Sequence, residues 1–251
     1  MTACGSYRAC GLAADGSASC WGGGGGTLGD GTNVASTSPV AVIGGLKFST
    51  LATAWSGGCG LTQAGATWCW GNASSGTSLG DGATINSLSP VPVAAGHQFI
   101  RITGGPGAQT CGLKANGEAW CWGRGSNGQL GDGSLANRAT PVKVATTVKF
   151  TAITAGGSHT CALAEDQTAW CWGLKGNLGR VDSFFLPLFV TTPIQVFGGR
   201  QFTEIDSGNG GHTCARAADG TWCWGGDFSG ELGTGVANGA TFGPPVKVRF
   251  P

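Results

Sequence analysis

The sequence has little charge, few histidines and no long apolar run. It holds 14 Lys and Arg against 13 Asp and Glu in 251 residues, for a formal net charge of +1. Such a balance gives no basic surface for nucleic acid or for an anionic membrane. No stretch reaches the roughly 18 consecutive apolar residues of a spanning helix. The N-terminus, MTACGSYRACGLAADG, lacks a basic-then-apolar signal segment, so we expect that a leader is either not encoded or already removed.

Residues that interrupt helices are abundant, with 49 Gly and 10 Pro. This excludes a mostly helical protein. Aperiodic chains this rich in Gly and Pro approach the disordered range, but 10 Trp, 11 Phe and a hydrophobic content of 41% supply a core. The composition therefore favours an ordered, β-rich protein.

A unit that ends in Cys-Trp-Gly recurs five times and fills the chain. The CWG motifs lie at 20–22, 69–71, 121–123, 171–173 and 223–225. Successive motif tryptophans are separated by 49, 52, 50 and 52 residues. A period near 50 is typical of one propeller blade.

Each unit contains four β-like runs. The run with a Pro-Val pair should be the outermost strand, since proline suits a sheet edge, and the run ending in small residues should be innermost. We therefore predict an all-β fold, a single β-propeller domain over 1–251 with five four-stranded blades. The N-terminal MTACGS and C-terminal KVRFP should complete one blade. The alternative is a five-repeat piece of a larger ring.

The repeat resembles a known family. The pattern HTCAL…WCWG…NGQLGDG…TPVKV runs from Ala108 to Val144 and from His159 to Val196, and it is similar to the regulator of chromosome condensation repeat in a bacterial-type, Cys-paired form. The resemblance implies a β-propeller, usually with seven blades where five are counted here. It leaves function open, because such propellers include a nucleotide-exchange factor, an ultraviolet photoreceptor and a β-lactamase inhibitor.

Ten of the 11 cysteines form pairs spaced by ten residues, or by nine in the fifth unit. In the third unit a turn at 115–117 would pair Lys114 with Glu118 and bring Cys111 opposite Cys121, within disulfide range. We therefore predict five bridges within the blades: Cys10 to Cys20, Cys59 to Cys69, Cys111 to Cys121, Cys161 to Cys171 and Cys214 to Cys223. Cysteines that act only as small buried hydrophobes are the alternative.

The predicted bridges place the mature protein outside the cytosol, secreted or at the cell surface. Cys4 has no repeat partner, and we expect a buried free thiol in the first inner strand. The tryptophans that flank each second cysteine should lie on the opposite strand face and pack between blades. Sugar platforms and a light-absorbing cluster are the alternatives for them. Trp55 occupies the position of Gly157 in another unit and should line the central channel.

No set of residues predicts catalysis. The three histidines, His97, His159 and His212, do not form a constellation, so neither a metal nor another cofactor is expected. The LGDG motifs place acidic residues where Asp-Gly turns require them: these are Asp30, Asp81 and Asp132. We therefore predict that the protein is not an enzyme.

One connector departs from the repeat. The fourth unit has LGRVDSFFLPLFVTTP where other units have polar residues. Exposed apolar segments tend to mark interaction sites, so we predict a binding anchor, with Trp55, at Phe184, Phe185, Leu186, Leu188 and Phe189; Val190 continues the run. The alternative is that this loop folds back over the propeller or seals a neighbouring blade.

The sequence thus predicts a monomeric binding propeller or inhibitor that engages another protein through one asymmetric site. Nucleic acid and membranes are not expected as partners. The alternative is a lectin-like module that binds glycans at similar sites in several blades, built from Trp faces and the Asp of LGDG.

Overall fold

The computed structural model describes residues 2–4, 8–55, 57–73, 79–180, 186–235 and 239–249. For residues 2–4 and 239–242 it describes the backbone only. These ranges contain twenty β-strands and one 3-10 helix, Lys175–Asn177. No helix in this part of the chain is long and apolar enough to cross a bilayer.

The strands form five four-stranded sheets, each antiparallel and in chain order. Sheet 1 contains β1 (Thr2–Cys4), β2 (Arg8–Leu12), β3 (Ala18–Gly22) and β4 (Ser36–Ala41). Sheet 2 contains β5 (Thr50–Ala54), β6 (Gly57–Leu61), β7 (Thr67–Gly71) and β8 (Ser87–Pro92). Sheet 3 contains β9 (Arg101–Gly104), β10 (Gln109–Leu113), β11 (Ala119–Gly123) and β12 (Arg138–Lys143). Sheet 4 contains β13 (Phe150–Ala155), β14 (His159–Ala164), β15 (Ala169–Leu174) and β16 (Phe189–Gln195). Sheet 5 contains β17 (Glu204–Ser207), β18 (His212–Ala217), β19 (Gly220–Asp227) and β20 (Gly239–Lys247).

The central hairpin of each sheet has the predicted register. In sheet 3 the Lys114 amide donates to the Glu118 carbonyl over 2.9 Å, and Gly117 takes a positive φ of 78°. Cys111 then lies opposite Cys121, with Cα atoms 4.1 Å apart. All five predicted pairs are bridged, at Cα separations of 4.0–4.1 Å.

The fifth hairpin shows why its cysteines are one residue closer in sequence. Ala217 pairs with Gly220, so the turn has two residues rather than three. The cysteines still lie directly opposite each other, because the missing residue is removed from the turn and not from either strand.

Strand order within the sheets also agrees with the prediction. The Pro-Val strands β4, β8, β12, β16 and β20 each lie at one edge, and the strands that end in small residues lie at the other. Residues from four of these inner strands, β5, β9, β13 and β17, line one central opening of 330 Å³. Small side chains therefore occupy the region where the sheets converge.

Four buried clusters join consecutive sheets. Each contains the CWG tryptophan of the later sheet, fully buried, and a phenylalanine that lies just before the first strand of that sheet or, as Phe150, begins it. The ring centroids of these pairs are 5.8–6.1 Å apart: Phe48 and Trp70, Phe99 and Trp122, Phe150 and Trp172, Phe202 and Trp224. The predicted core role of these tryptophans is confirmed.

The prediction that the two chain ends complete one blade is wrong. Residues 2–4 pair with Ala9–Gly11 and are themselves the inner strand of sheet 1, whereas β20 belongs to sheet 5. Three residues suffice because the first strand is short in the other sheets too, with four to six residues. Across the ranges described above, no buried cluster joins sheet 5 to sheet 1.

Candidate functional site

Trp55 and the apolar fourth connector lie on one face of the molecule. Because the four strands of a sheet alternate in direction, the turn after the first strand and the loop after the third strand leave the same end. Trp55 follows β5, a first strand, and Leu188 follows β15, a third strand. We call this end the connector face; the cysteine hairpin turns lie at the other end.

Trp55 lies at the central opening. Its side chain is 52% exposed and lines the 330 Å³ opening together with Pro106, Asp206 and Asn209. Its backbone amide donates to the Gly105 carbonyl over 3.3 Å, which ties the turn of sheet 2 to that of sheet 3. The structure therefore places Trp55 at the channel, where the sequence located it, and its role in binding stays a prediction.

The turn that carries Trp55 is held by Arg8, a residue to which the sequence gave no role. The Arg8 guanidinium is buried and donates to the carbonyls of Ala54, Trp55 and Gly57 in the next sheet. Burial lowers the pKa of Arg8 to about 10, so the side chain stays protonated at neutral pH. The signal that could have found it is its repeat position, two residues before a bridged cysteine.

The fourth connector divides between core and surface. Phe184 and Phe185 lie outside the described residues. Leu186 packs against the cluster between sheets 4 and 5, and Val190 is buried in it. Phe189 is half-buried and begins β16 opposite Leu174.

Leu188 is the described part of the anchor that faces outward, at 55% exposure. Its carbonyl accepts from the Lys175 amide over 3.0 Å, which fixes the loop against the end of β15. The connector thus packs into the interface between sheets 4 and 5 with one part and presents an apolar side chain with another.

A cleft of 450 Å³ lies beside Leu174, between sheets 4 and 5 on the connector face. Its wall is mostly backbone: Gly157, Gly176, Gly210, Gly211, Gly225 and Gly226. Phe228 stands at its edge with 66% of its surface exposed. Sequence reasoning missed Phe228, because a single aromatic residue in a polar loop carries no pattern.

The cleft is joined to the central opening by Asn209, which lines both cavities. The connector face therefore presents a discontinuous apolar surface that runs from Leu188 past Phe228 towards Trp55. Such a surface suits protein contacts better than chemistry.

The buried histidine beneath this cleft is structural. His159 is fully buried; its Nε2 lies 2.7 Å from Thr213 Oγ1, and Asn177 Nδ2 donates to its Nδ1 over 3.3 Å. Burial, with a smaller contribution from His212, lowers its pKa to about 3. His97 instead stacks on Phe99. Within the described ranges no three His, Cys, Asp or Glu side chains form a metal-binding group.

The LGDG aspartates and the CWG tryptophans, which a lectin would use to bind sugars, stabilise turns and the core in this structure. Each LGDG aspartate accepts from the backbone amide two residues ahead: Asp30 from Thr32, Asp81 from Ala83 and Asp132 from Ser134. Four CWG tryptophans, Trp70, Trp122, Trp172 and Trp224, have no exposed surface for stacking on a sugar. Asp-Gly is therefore turn chemistry here, as predicted.

Comparison with known proteins supports this architecture. The model of the regulator of chromosome condensation (RCC1) repeat matches residues 116–163, and a second model of the same repeat matches 93–129 and 150–179. The mitochondrial RCC1 domain-containing protein RUG3 of Arabidopsis thaliana is 34% identical over 125 residues, covering 48% of this chain and 26% of RUG3. The ultraviolet-B receptor UVR8 of the same plant is 27% identical over 219 residues, covering 85% of this chain and 48% of UVR8. The chain thus spans less than half the length of either relative.

Solved structures share the fold at low identity. Yeast RCC1 (Prp20), in its complex with Kap60, superposes with a TM-score of 0.80 at 21% identity over 96% of this chain and 59% of that chain. Human WBSCR16 gives 0.81 at 18% identity, over 98% and 65% of the two chains. Five Cys-paired CWG units, five four-stranded sheets and these matches lead to one conclusion: the chain carries repeats of the RCC1 type, matched by the family models over residues 93–179.

Proposed function

We propose that the chain is a non-enzymatic binding propeller or inhibitor that captures another protein on its connector face. The observation that carries the proposal is the glycine-walled cleft with the exposed Phe228 at its edge, together with the exposed Leu188 on the fourth connector of the same face. A partner's large apolar side chain could enter the cleft because glycine backbones leave space for it, and Phe228 and Leu188 would exclude water from the surrounding contact. Trp55 would extend the contact towards the central opening.

Charge and family context support a protein partner. A net charge of +1 provides no long-range attraction for a highly charged ligand. Among proteins with this fold, yeast RCC1 (Prp20) has been solved bound to Kap60, and its binding to Gsp1p and histones has been described. We do not carry those partners over, since the similarity to yeast RCC1 establishes the fold alone.

We also propose a cellular location for the protein and an arrangement for its five sheets. Five bridges, one in each sheet, support a secreted or cell-surface location, because cytosolic thiols are kept reduced. We propose that the five sheets are blades of one propeller domain over 1–251. The superposition on RCC1 propellers supports this arrangement.

The test is a binding screen of the oxidised protein against an array of extracellular proteins and a glycan panel. The Leu188→Ser/Phe228→Ser variant should lose at least about tenfold in affinity for the protein that the parent selects, as expected for loss of a hot spot. Ile85→Ser is the matched control, because Ile85 is 72% exposed on the equivalent connector of sheet 2. Equal binding by parent and double variant, with folding intact, would exclude this patch. Multivalent glycan binding would instead favour the lectin alternative.

A further inference from the structure

The four interfaces between consecutive sheets are copies of one contact. A CWG tryptophan of the later sheet lies over the glycine of the LG motif of the earlier sheet. The closest approach of the indole to a Cβ built at that glycine is 2.6–2.9 Å in every copy. The pairs are Gly29 with Trp70, Gly80 with Trp122, Gly131 with Trp172 and Gly179 with Trp224.

The first and the last sheet each carry one residue of this tryptophan–glycine pair that is not in contact with its counterpart in the other. Trp21 is the CWG tryptophan of sheet 1, and it stays partly exposed where its four equivalents are fully buried. Gly233 is the LG glycine of sheet 5, and the three atoms nearest to a Cβ built there all belong to Val248. Trp21 therefore does not dock on Gly233 within the chain.

Val248 does not block the Gly233 position. At Gly179 the equivalent valine, Val196, lies 2.9 Å from the built Cβ, and Trp224 lies equally close to it. Valine and tryptophan thus share this glycine in the interface between sheets 4 and 5. The face of sheet 5 already has the geometry that receives a tryptophan.

A polar contact shows the same pattern. The residue two before the first bridged cysteine reaches into the next sheet: Gln109 Nε2 donates to the Gly156 and His159 carbonyls, and His159 bonds to Thr213. His212 holds this position in sheet 5, and among the described residues no following sheet lies beyond it to receive such a contact.

We propose that these two end faces bind each other between copies of the chain, so that the protein associates head to tail. Trp21 of one copy would enter the Leu232–Gly233 site of a second copy and complete the blade interface a fifth time. The expected partner is a second copy of the chain. The four internal interfaces show that the contact joins a CWG tryptophan to an LG glycine, and the chain carries one of each at its ends, Trp21 and Gly233. Contacts of this heterologous kind generate rings or open chains of subunits.

This inference differs from the monomer expected from the sequence. That expectation assumed a ring closed by the two chain ends, whereas the ends belong to different sheets. The proposed self-association uses a surface separate from the connector face. The test of self-association and the test of partner binding can therefore give independent results.

The test is light scattering after size exclusion, with X-ray scattering, over a wide micromolar concentration range. The parent should increase in mass with concentration, and Trp21→Ser should weaken association by at least about tenfold, as for loss of an interface tryptophan. Trp55→Ser is the matched control, because Trp55 is exposed but lies outside both end faces; it should associate like the parent. Circular dichroism and thiol titration verify that each variant is folded and oxidised.

A mixing experiment distinguishes head-to-tail pairing from other association. Trp21→Ser retains the glycine face, and Val248→Arg retains Trp21 while obstructing the glycine face. Each variant alone should remain monomeric, and an equimolar mixture should form a dimer that grows no further. A parent that is monomeric at all concentrations, association that is insensitive to Trp21→Ser, or a mixture that stays monomeric would each overturn the proposal.

Discussion

A Cβ atom at Gly131 would lie 2.6 Å from the indole Nε1 of Trp172, closer than any real side chain allows. Gly131 also has a positive φ of 70°. Sheet 3 therefore accepts Trp172 of sheet 4 because Gly131 has no side chain in the way. Only glycine also adopts the left-handed backbone conformation of Gly131 without strain.

Gly131→Ala should destabilise the protein through both effects. The left-handed conformation costs about 1–2 kcal/mol for a residue with a Cβ, and overpacking against Trp172 adds about 1–3 kcal/mol. Denaturant unfolding of the oxidised protein, followed by tryptophan fluorescence, measures the sum.

The control for Gly131→Ala is Gly133→Ala. Gly133 has a φ of 87°, but a Cβ built there has no neighbour within 4 Å. It should show the backbone cost of about 1–2 kcal/mol alone. Equal losses at the two positions would mean that Trp172 relaxes freely and that the contact is not tightly packed.

The cysteine pairing predicts a thiol count. Alkylation without reductant, followed by mass spectrometry, should label at most one of the 11 cysteines in protein from its native compartment, and the label should be on Cys4. Removing one bridge with Cys111→Ala/Cys121→Ala should cost about 3 kcal/mol on the loop-entropy scale for a ten-residue separation. Several labelled cysteines would contradict the extracellular setting.

Acid should destabilise the protein through His159. Its pKa is lowered from 6.5 to about 3 by burial, with a smaller effect of His212. Between these values the unfolded chain binds a proton that the folded chain does not, so stability falls as pH falls from 6.5 towards 3. The slope from this group approaches about 1.4 kcal/mol per pH unit.

His159→Gln tests this pH dependence. Gln109 holds the same repeat position in sheet 3 and is fully buried, so glutamine fits such a site. The variant should lose some stability at pH 7, where the Thr213 bond is weakened, but it should be less sensitive to acid than the parent. Unfolding free energies at pH 7 and pH 4.5 give the difference; parallel profiles would exclude His159 as the titrating group.

Arg8 should position the turn that holds Trp55. Arg8→Ala removes charge-assisted bonds to carbonyls of the next sheet and should cost about 2–3 kcal/mol. Hydrogen exchange should increase in the turn after β5. Arg8→Lys should recover only part of the loss, because an ammonium cannot reproduce the planar fork. Arg101→Ala is the control at an exposed arginine and should change stability by less than about 0.5 kcal/mol.

The cysteine register could be predicted because it follows from local counting. Once Gly117 ends a three-residue turn, the alternation of a strand determines that Cys111 faces Cys121 and that Trp122 lies on the other face. The proline strands could be placed at the edges for another local reason, because proline lacks the backbone amide that a central strand needs. Each of these inferences used contacts within one repeat.

The candidate site depended on contacts between repeats, which the pattern does not encode. Leu186 and Leu188 are two residues apart and equally apolar, yet Leu186 packs against the core cluster and Leu188 faces solvent. Their orientations depend on the contact that this connector makes with the cluster between sheets 4 and 5, which no periodicity specifies. The chain ends were misassigned because a strand of three residues, Thr2–Cys4, is too short to show alternation.

Every bridge joins neighbouring strands of one hairpin, and none connects two sheets. In the extracellular setting proposed above, each cysteine of a pair would emerge from a translocation pore within ten residues of its partner. Oxidation would then proceed repeat by repeat from the N-terminus, and the nearest thiol is the native one in every unit but the first, where Cys4 lies six residues before Cys10. A chain oxidised in this order has little need of a disulfide isomerase. Because no bridge joins two sheets, a pulling force can also separate the sheets one after another without breaking a covalent bond.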